Sequence, residues 1–250
     1  IIHQNTVLVE ATAGNTGIGL ALAAQSLQLK LILVVPEKFS IEKQQLMSAL
    51  GAELVITPKN LGMKGAIDKA EAIIASLPQA IGLRQFENHD NVMAHYTQTG
   101  PEIYHALKGS VTHFVAGAGS GGTFTGVSRF LKEKNPNIKA FVAEPIGSTM
   151  GGGEEGAYAI EGIGNNFVPQ IMDMTLVDAF IPISDDLAFQ TVKKLALTEG
   201  LVCGSSSGAA LAAAVHIANQ LDEGNIVVVL PDRGDRYLSK GLFDEKNEED

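Results

Sequence analysis

The sequence is nearly devoid of cysteine: Cys203 is the only one in 250 residues. No disulfide forms within the chain, and a reducing, cytoplasmic setting is expected. Flanked by Leu201, Val202 and Gly204, this thiol reads as a packed side chain rather than a reactive one. Positive charge is also scarce. Eighteen Lys and Arg face 28 Asp and Glu, a net charge of −10, which argues against nucleic acid or an anionic membrane as a partner. No apolar run reaches the ~18 residues of a membrane helix, and no signal-peptide pattern opens the chain. The six histidines show no metal-ligand spacing with carboxylates or a second cysteine, so no metal site is expected. No G-x-S-x-G elbow encloses a serine. Ser206 and His216 therefore lack the frame of a nucleophilic hydrolase, and Ser205 to Ser207 read as helix-capping residues.

What the sequence does contain is glycine in organised loops. Val111 to Val127, VTHFVAGAGSGGTFTGV, runs from a β-branched and aromatic segment through Gly117, Gly119, Gly121 and Gly122 into Phe124, Val127, Phe130 and Leu131 at helical spacing. That is a strand, a tight turn and a helix start. Glycines let the backbone approach a ligand closely, and the free N–H groups of the following helix attract an anion, with a phosphate the natural occupant. The loop carries no acidic residue, and Ser120 and Thr123 add hydroxyl donors. Gly117, Gly119 and Gly122 also satisfy G-x-G-x-x-G. Glu144 ends the next strand-like run about 20 residues on, as a dinucleotide fold requires. A nucleotide-linked oxidoreductase and a plain structural turn both remain open at this point.

The rest of the chain alternates strands with helices. Thr6 to Glu10 is strand-like, and Thr12 to Gly19 is a polar, glycine-bearing turn before an alanine-rich helix from Leu20 to Leu27. Leu31 to Val35 is an apolar strand. Ser40 then opens a helix that Gly51 ends, Glu53 to Thr57 is another strand, and Ala66 to Leu77 an amphipathic helix. Leu83 to Leu107 is polar at first and helical after Pro101. Lys139 to Glu144 is a strand, and Gly147 to Asn166 a glycine-rich loop too long to be idle. Asp185 to Ala196 is a helix, and Leu201 to Gly208 turns into an apolar helix from Ala209 to Ala218. Ile226 to Leu230 is the last strand, with PDRGDRYLS a polar loop after it. The alternation predicts an α/β fold of two open, mainly parallel twisted sheets flanked by helices, with ligands at the carboxyl ends of the strands. The division falls near Lys108 to Ser110. It gives a small domain of residues 6–108, a larger one of 109–243 and a solvated charged tail of 244–250.

Taken together, Thr12–Ala13–Gly14–Asn15–Thr16–Gly17, Gly119–Ser120–Gly121–Gly122–Thr123, Glu161–Gly162–Ile163–Gly164, Gly204–Ser205–Ser206–Ser207–Gly208, Gln85–Phe86 and the terminal DRGDRYLS resemble, in order, the cysteine synthase and cystathionine β-synthase family. The resemblance spans nearly the whole chain. It implies a pyridoxal-phosphate enzyme of the tryptophan-synthase-β-like fold (fold type II), homodimeric and cytoplasmic, and makes dinucleotide binding a minor alternative. It implies that Gly119, Ser120, Gly121, Gly122 and Thr123 cradle the cofactor phosphate, that Ser206 bonds the pyridine nitrogen and that Asn15 meets the ring hydroxyl. Thr12, Ala13, Gly14 and Thr16, with Gln85, correspond to the loop that takes the substrate carboxylate. The domain that carries this loop is expected to be the mobile one. Gly162 would line the substrate mouth.

The implied reaction replaces the β-substituent of serine or O-acetylserine with a sulfur nucleophile, either sulfide or a thiol such as homocysteine. Glu161–Gly164 and Leu201–Gly204 are similar to cystathionine β-synthases, DRGDRYLS to certain cysteine synthases. Two departures stand out. Ala13 replaces the family's small hydroxyl residue. The family's cofactor-bearing lysine, in a Ser-x-Lys-[Asp/Asn]-Arg segment upstream of the first loop, has no counterpart here, where the first lysine is Lys30. The catalytic lysine is therefore unassigned, an amino-terminal segment is expected to precede Ile1, and a non-catalytic paralogue is the remaining alternative.

Overall fold

The structure, a computed structural model, describes residues 2–12 and 14–244. Ala13 and the charged tail beyond Asp244 lie outside the described residues. The chain forms two compact units. The first comprises the residues up to Gln85 together with Arg236–Gly241, and the second Phe86–Asp235 and the residues from Leu242.

In the first unit, β1 (Val7–Ala11), β2 (Lys30–Pro36), β3 (Glu53–Thr57) and β4 (Ala80–Gly82) form a wholly parallel sheet of order β3-β2-β1-β4. Helices α1 (Asn15–Ser26), α2 (Ile41–Ala49) and α3 (Gly62–Ser76) supply the crossovers. β1 and β2 are almost wholly buried because each faces a core on both sides. Leu8, Leu31, Leu33 and Val35 pack with Ile18 and Met47, and Val7, Val9, Ile32 and Val34 with Ala66 and Ala70. This double burial explains why β2 reads as a continuous apolar run rather than an alternating one. The chain leaves β1 in one direction to build β2 and β3, then crosses to β1's other side for β4. The switch point lies between the carboxyl ends of β1 and β4.

The second unit repeats this plan with β5 (His113–Gly117), β6 (Lys139–Pro145), β7 (Ala179–Ile183) and β8 (Ile226–Val228), again all parallel, in the order β7-β6-β5-β8. Helix α4 (His89–Ala94) passes through a π-helical turn, His95–Thr99, into α5 (Gly100–Ala106); α6 (Gly122–Lys134), α7 (Asp185–Glu199) and α8 (Ser205–Ala218) follow. Its switch point lies between the carboxyl ends of β5 and β8.

Several boundaries differ from those expected of the sequence. The units divide at Gln85 and Phe86 rather than near Lys108, because α4 and α5 pack on α6 and so belong with the second sheet. Helix begins at His89, where the Asn88 side chain accepts from Asp90 N, and not after Pro101. Helix α1 begins at Asn15 and absorbs Gly17, whose hydrogen is needed because a Cβ there would strike Met47 Sδ and lie 2.8 Å from Thr12 Cγ2. Helix α8 begins at Ser205 rather than Ala209, so the three serines form its first turn with Gly204 as the cap residue. The polar loop expected for PDRGDRYLS is instead a run of 3-10 turns, Gly234–Lys240, with Tyr237 fully buried. From Gly147 to Asn166 no regular element forms, as expected.

Candidate active site

In the second unit three of the glycine-bearing loops converge beyond the carboxyl ends of β5 and β8. The turn from Gly117 to Gly122 leaves β5 and enters α6 with Gly121 in the left-handed region, φ 86°. Among the described residues, the amides of Ser120, Gly121, Gly122 and Thr123 find no backbone acceptor, while Thr125 N already bonds Gly121 O at 2.9 Å. A set of unspent donors at a helix start is an anion site in waiting.

The glycines face protein on their other side. A Cβ on Gly119 would lie 2.5 Å from Gly162 O, one on Gly121 2.9 Å from Met172 Cβ, and one on Gly122 would overlap Asn91 Oδ1. The backbone is thus pressed against a supporting layer. Gly162, φ 90° and exposed, has open space where its Cβ would be. The supporting layer is also hydrogen-bonded: Asn165 Nδ2 donates to Gly119 O at 2.6 Å, Gly164 N to Ala118 O at 2.9 Å, and Glu161 N to Ser205 Oγ at 3.0 Å. The last bond ties the Glu161–Gly164 loop to the start of α8, where Ser206 is buried. Val202 and Gly204 pair with Gly234 and Asp232, which brings the amino end of α8 beside the chain leaving β8.

In the first unit the other candidates gather at its own switch point. Thr12 Oγ1 accepts from Gly14 N at 3.0 Å and Gly17 N at 3.2 Å, closing the turn into α1. Thr16 Oγ1 donates to Gln85 Oε1 at 2.7 Å, and Gln85 Nε2 donates to Ala11 O at 2.7 Å, so the loops after β1 and β4 are clasped together. Asn15 Oδ1 accepts from Arg236 Nη1 at 3.0 Å. Beneath them Glu10, the residue before the last of β1, is a buried carboxyl. Its Oε1 accepts from Gln85 N at 3.2 Å, while Oε2 is buried with no partner among the described residues. Burial, only partly offset by hydrogen bonds from the Gln85 and Arg84 backbone, pushes its pKa up to about 7. Arg84 holds a left-handed φ of 49° just before Gln85. Ala13, which the sequence places in the same loop, lies outside the described residues.

Sequence reasoning missed Asn91, His95, Asn165, Arg236 and Glu10. Asn91 Nδ2 donates to Ser120 Oγ at 2.9 Å, and His95 Nε2 lies 3.0 Å from Thr123 Oγ1. Their spacing of four on one helix face was the available signal, hidden in a stretch read as a polar loop. Two competing expectations lose their support. Glu144 is buried and accepts from Ser148 Oγ at 2.7 Å and Gly151 N at 2.9 Å, so it closes the Ser148–Gly151 turn rather than waiting for a ribose. His216 is exposed and bonded to Gln220 near the far end of α8, ten residues or about 15 Å from Ser206. Cys203 is buried, and desolvation together with the Asp232 carboxylate raises its pKa, so the thiolate is disfavoured. Among the described residues no group of three or more His, Cys, Asp or Glu could hold a metal ion, and no helix is long and apolar enough to cross a membrane.

Parallel sheets with amide-bearing turns at their switch points suit a ligand that carries a phosphate. The family of pyridoxal-phosphate dependent enzymes matches residues 2–232, and the chain belongs to it. Among its relatives, the O-acetylserine dependent cystathionine beta-synthase of Bacillus subtilis is 51% identical over 244 residues, covering 97% of this chain and 80% of that protein. A cysteine synthase of Helicobacter pylori is 49% identical over 243 residues, covering 97% and 79%. The crystal structure of an O-acetylserine dependent cystathionine beta-synthase from Helicobacter pylori superposes with a TM-score of 0.93 at 49% identity, covering 97% of this chain and 79% of that one. The two parallel sheets flanked by helices are those of this fold type, and the cofactor of the family is pyridoxal phosphate.

Proposed function

We propose that this protein replaces the β-substituent of serine or O-acetylserine with a sulfur nucleophile, giving cysteine from sulfide or cystathionine from homocysteine. The observation that carries the reading is the convergence of the Gly119–Thr123 amides, the Glu161–Gly164 loop and the buried start of α8 at one switch point. The names of the relatives from Bacillus subtilis and Helicobacter pylori agree with it. The residues present fit the cofactor: unspent amides and two hydroxyls with no acidic neighbour in the turn suit a phosphate dianion.

Pyridoxal phosphate, when bound, supplies an electron sink for the negative charge left at the α-carbon of an amino acid. In this reading Gly119, Ser120, Gly121, Gly122 and Thr123 hold its phosphate. Ser206 offers a neutral hydroxyl to the pyridine nitrogen. A neutral hydroxyl there, unlike a carboxylate, would leave that nitrogen unprotonated and the sink moderate, which would favour β-elimination over chemistry that needs deeper delocalisation. Asn15, whose Oδ1 accepts from Arg236 Nη1, would meet the ring hydroxyl. Thr12, Gly14 and Thr16 at the start of α1, with Gln85, receive the substrate carboxylate. Gly162, which leaves open space where a side chain would stand, lines the way in. The covalent role of a lysine is assigned to no residue of this sequence. A cytoplasmic homodimer acting on amino-acid and thiol or sulfide substrates completes the reading.

The test uses full-length protein incubated with L-serine or O-acetyl-L-serine and either sulfide or homocysteine, with products identified by mass spectrometry. Cysteine or cystathionine from a yellow, cofactor-loaded protein is the expected result. A colourless protein that forms neither product overturns the proposal.

A further inference from the structure

The hydroxyls of Ser120 and Thr123 are each met from behind by a side chain of one helical segment. Asn91 Nδ2 donates to Ser120 Oγ at 2.9 Å. His95 reaches Thr123 Oγ1 with Nε2 at 3.0 Å and Thr99 Oγ1 with Nδ1 at 2.9 Å. The approach is close because α6 carries Gly122 and Gly126 on the facing side. A Cβ on Gly126 would overlap Val92 O and stand 2.7 Å from His95 Cβ, and one on Gly122 would overlap Asn91. The π-helical turn begins at His95 itself, and such turns are frequent at functional sites.

A hydroxyl has one proton. If its partner accepts that proton, only lone pairs face the turn, and lone pairs repel a phosphate. If the partner donates, the hydroxyl proton is free to point at the anion. Asn91 is of the second kind. A neutral imidazole has one donor and one acceptor, so the two neighbours of His95 cannot both receive a proton from it. Burial lowers the pKa of His95 and favours the neutral ring. With the proton on Nδ1, His95 would draw the Thr123 proton to itself. With the proton on Nε2, Thr99 donates to Nδ1, Nε2–H donates to Thr123 Oγ1, and Thr123 is left to donate forward.

We propose that Asn91 and His95 are positioning residues of the phosphate turn, and that His95 holds the Nε2–H tautomer so that the Thr123 hydroxyl donates to the bound anion. This rests on the reading of Gly119 to Thr123 as the cofactor phosphate site. The chain of bonds runs Thr99 to His95 to Thr123 to phosphate, each donor pointing the same way. Aligned donors of this kind polarise one another.

The experiment is performed on the full-length protein with pyridoxal phosphate as the probe. Long-range proton–nitrogen correlation spectra of the histidine-labelled, cofactor-loaded parent report the tautomer without any mutation. Nε2 protonated and Nδ1 bare is the expected pattern, and the reverse overturns the inference. Dissociation constants are then measured by equilibrium dialysis. His95→Met, which fills the space without a donor, is expected to weaken retention roughly tenfold, the size of one hydrogen bond that serves a charged group. His95→Gln, whose amide nitrogen restores a donor near the Nε2 position, is expected to stay within about threefold of the parent. Equal losses in both variants would mean that His95 acts only by packing, and no loss in His95→Met would overturn the inference as well. Thr123→Asp separates the two levels. An acidic residue in the first turn suits helix α6 but repels a phosphate. If Thr123→Asp retains cofactor like the parent, the phosphate-site reading itself falls, and the inference with it. If it loses cofactor while His95→Met does not, only the inference falls.

Discussion

Lys43 donates from Nζ to Tyr237 Oη at 2.7 Å and stands 4.0 Å from the centroid of the same ring, although 194 positions separate the two residues in sequence. Both side chains are buried. The contact is one of several that bind Arg236–Gly241 to the first unit. Ser40 Oγ donates to Arg236 O at 2.6 Å, Ser239 N and Oγ both donate to the Glu42 carboxylate, and Lys240 Nζ donates to Lys38 O at 2.6 Å. Lys43 also lies against Gly14, where a Cβ would overlap its side chain. The short segment thereby supports the turn at the start of α1 from below, and Arg236 engages Asn15 within it.

Removing this support should unsettle the whole first unit. Tyr237→Ala is expected to cost about 3–5 kcal/mol, the range for truncating a fully buried aromatic ring. Tyr237→Phe, which keeps the ring beneath Lys43 but drops the hydroxyl, is expected to cost about 1–2 kcal/mol. Urea unfolding followed by circular dichroism gives both values. Equal costs would mean that the hydroxyl rather than the ring carries the contact.

Glu10 gives the fold a pH dependence of definite sign. Its folded pKa of about 7 lies above the ordinary 4.5, so the protonated carboxyl is the form that suits the fold. Its contribution is complete below pH 4.5 and is lost as the pH rises through 7. Carboxylates whose pKa is lowered, such as Asp178 beside Lys132 and Asp173 bonded to Thr175, act in the opposite sense at lower pH. The difference between parent and Glu10→Gln therefore isolates the effect. The parent is expected to lose stability relative to Glu10→Gln between pH 4.5 and 8, and parallel profiles across that interval would contradict the assignment.

Ser206→Ala is expected to leave the fold within about 1 kcal/mol of the parent, because Gly204 rather than Ser206 occupies the cap position of α8 and the helix keeps its alanine-lined core. The β-elimination rate should nevertheless fall, and the absorption of the bound cofactor should shift, since the hydroxyl acts on the ring nitrogen. A variant with parent-like spectrum and turnover would reduce Ser206 to a residue of the first helical turn.

The clasp between Thr16 and Gln85 should read a carboxylate. Gln85→Ala removes an amide that bridges the ends of β1 and β4, and L-serine is expected to bind the full-length variant about tenfold more weakly, in line with the loss of a hydrogen bond to a charged group. Ethanolamine, which has the amine and hydroxyl but no carboxylate, should bind parent and variant alike. Calorimetric titration with both ligands decides it, and a matched loss for ethanolamine would assign Gln85 to a different part of the substrate.

Much of this was legible in the sequence, for identifiable reasons. Strands β1, β2, β5 and β6 are apolar runs bounded by turns, and buried parallel strands look like that whatever surrounds them. The Gly117–Gly122 turn announced itself because close backbone approach requires glycine. Strand β4 has three residues on a sheet edge and carries no period to detect. The helical segment His89–Thr99 is half exposed and polar, so its role as a support for Ser120 and Thr123 depends on contacts 28 and 29 positions away. Tyr237 read as part of a polar loop because its partner lies in a distant helix, and local pattern is blind to such pairs. The place of Glu10 was equally hidden: an acid inside TVLVE looks like a strand's solvent face, and only the sheet on both sides makes it buried.

The return of Arg236–Gly241 to the first unit has a consequence for biosynthesis. A ribosome releases β1 to β4 early, and amino-terminal domains ordinarily complete their folding while the remainder is still being made. Here the residues that seat against Ser40, Glu42 and Lys43 are translated 194 to 197 positions after them. The sheet of β1 to β4 is thus encoded ahead of β5 to β8 and completed after them, and its nascent form must wait, with the Tyr237 socket open, until those strands have been read.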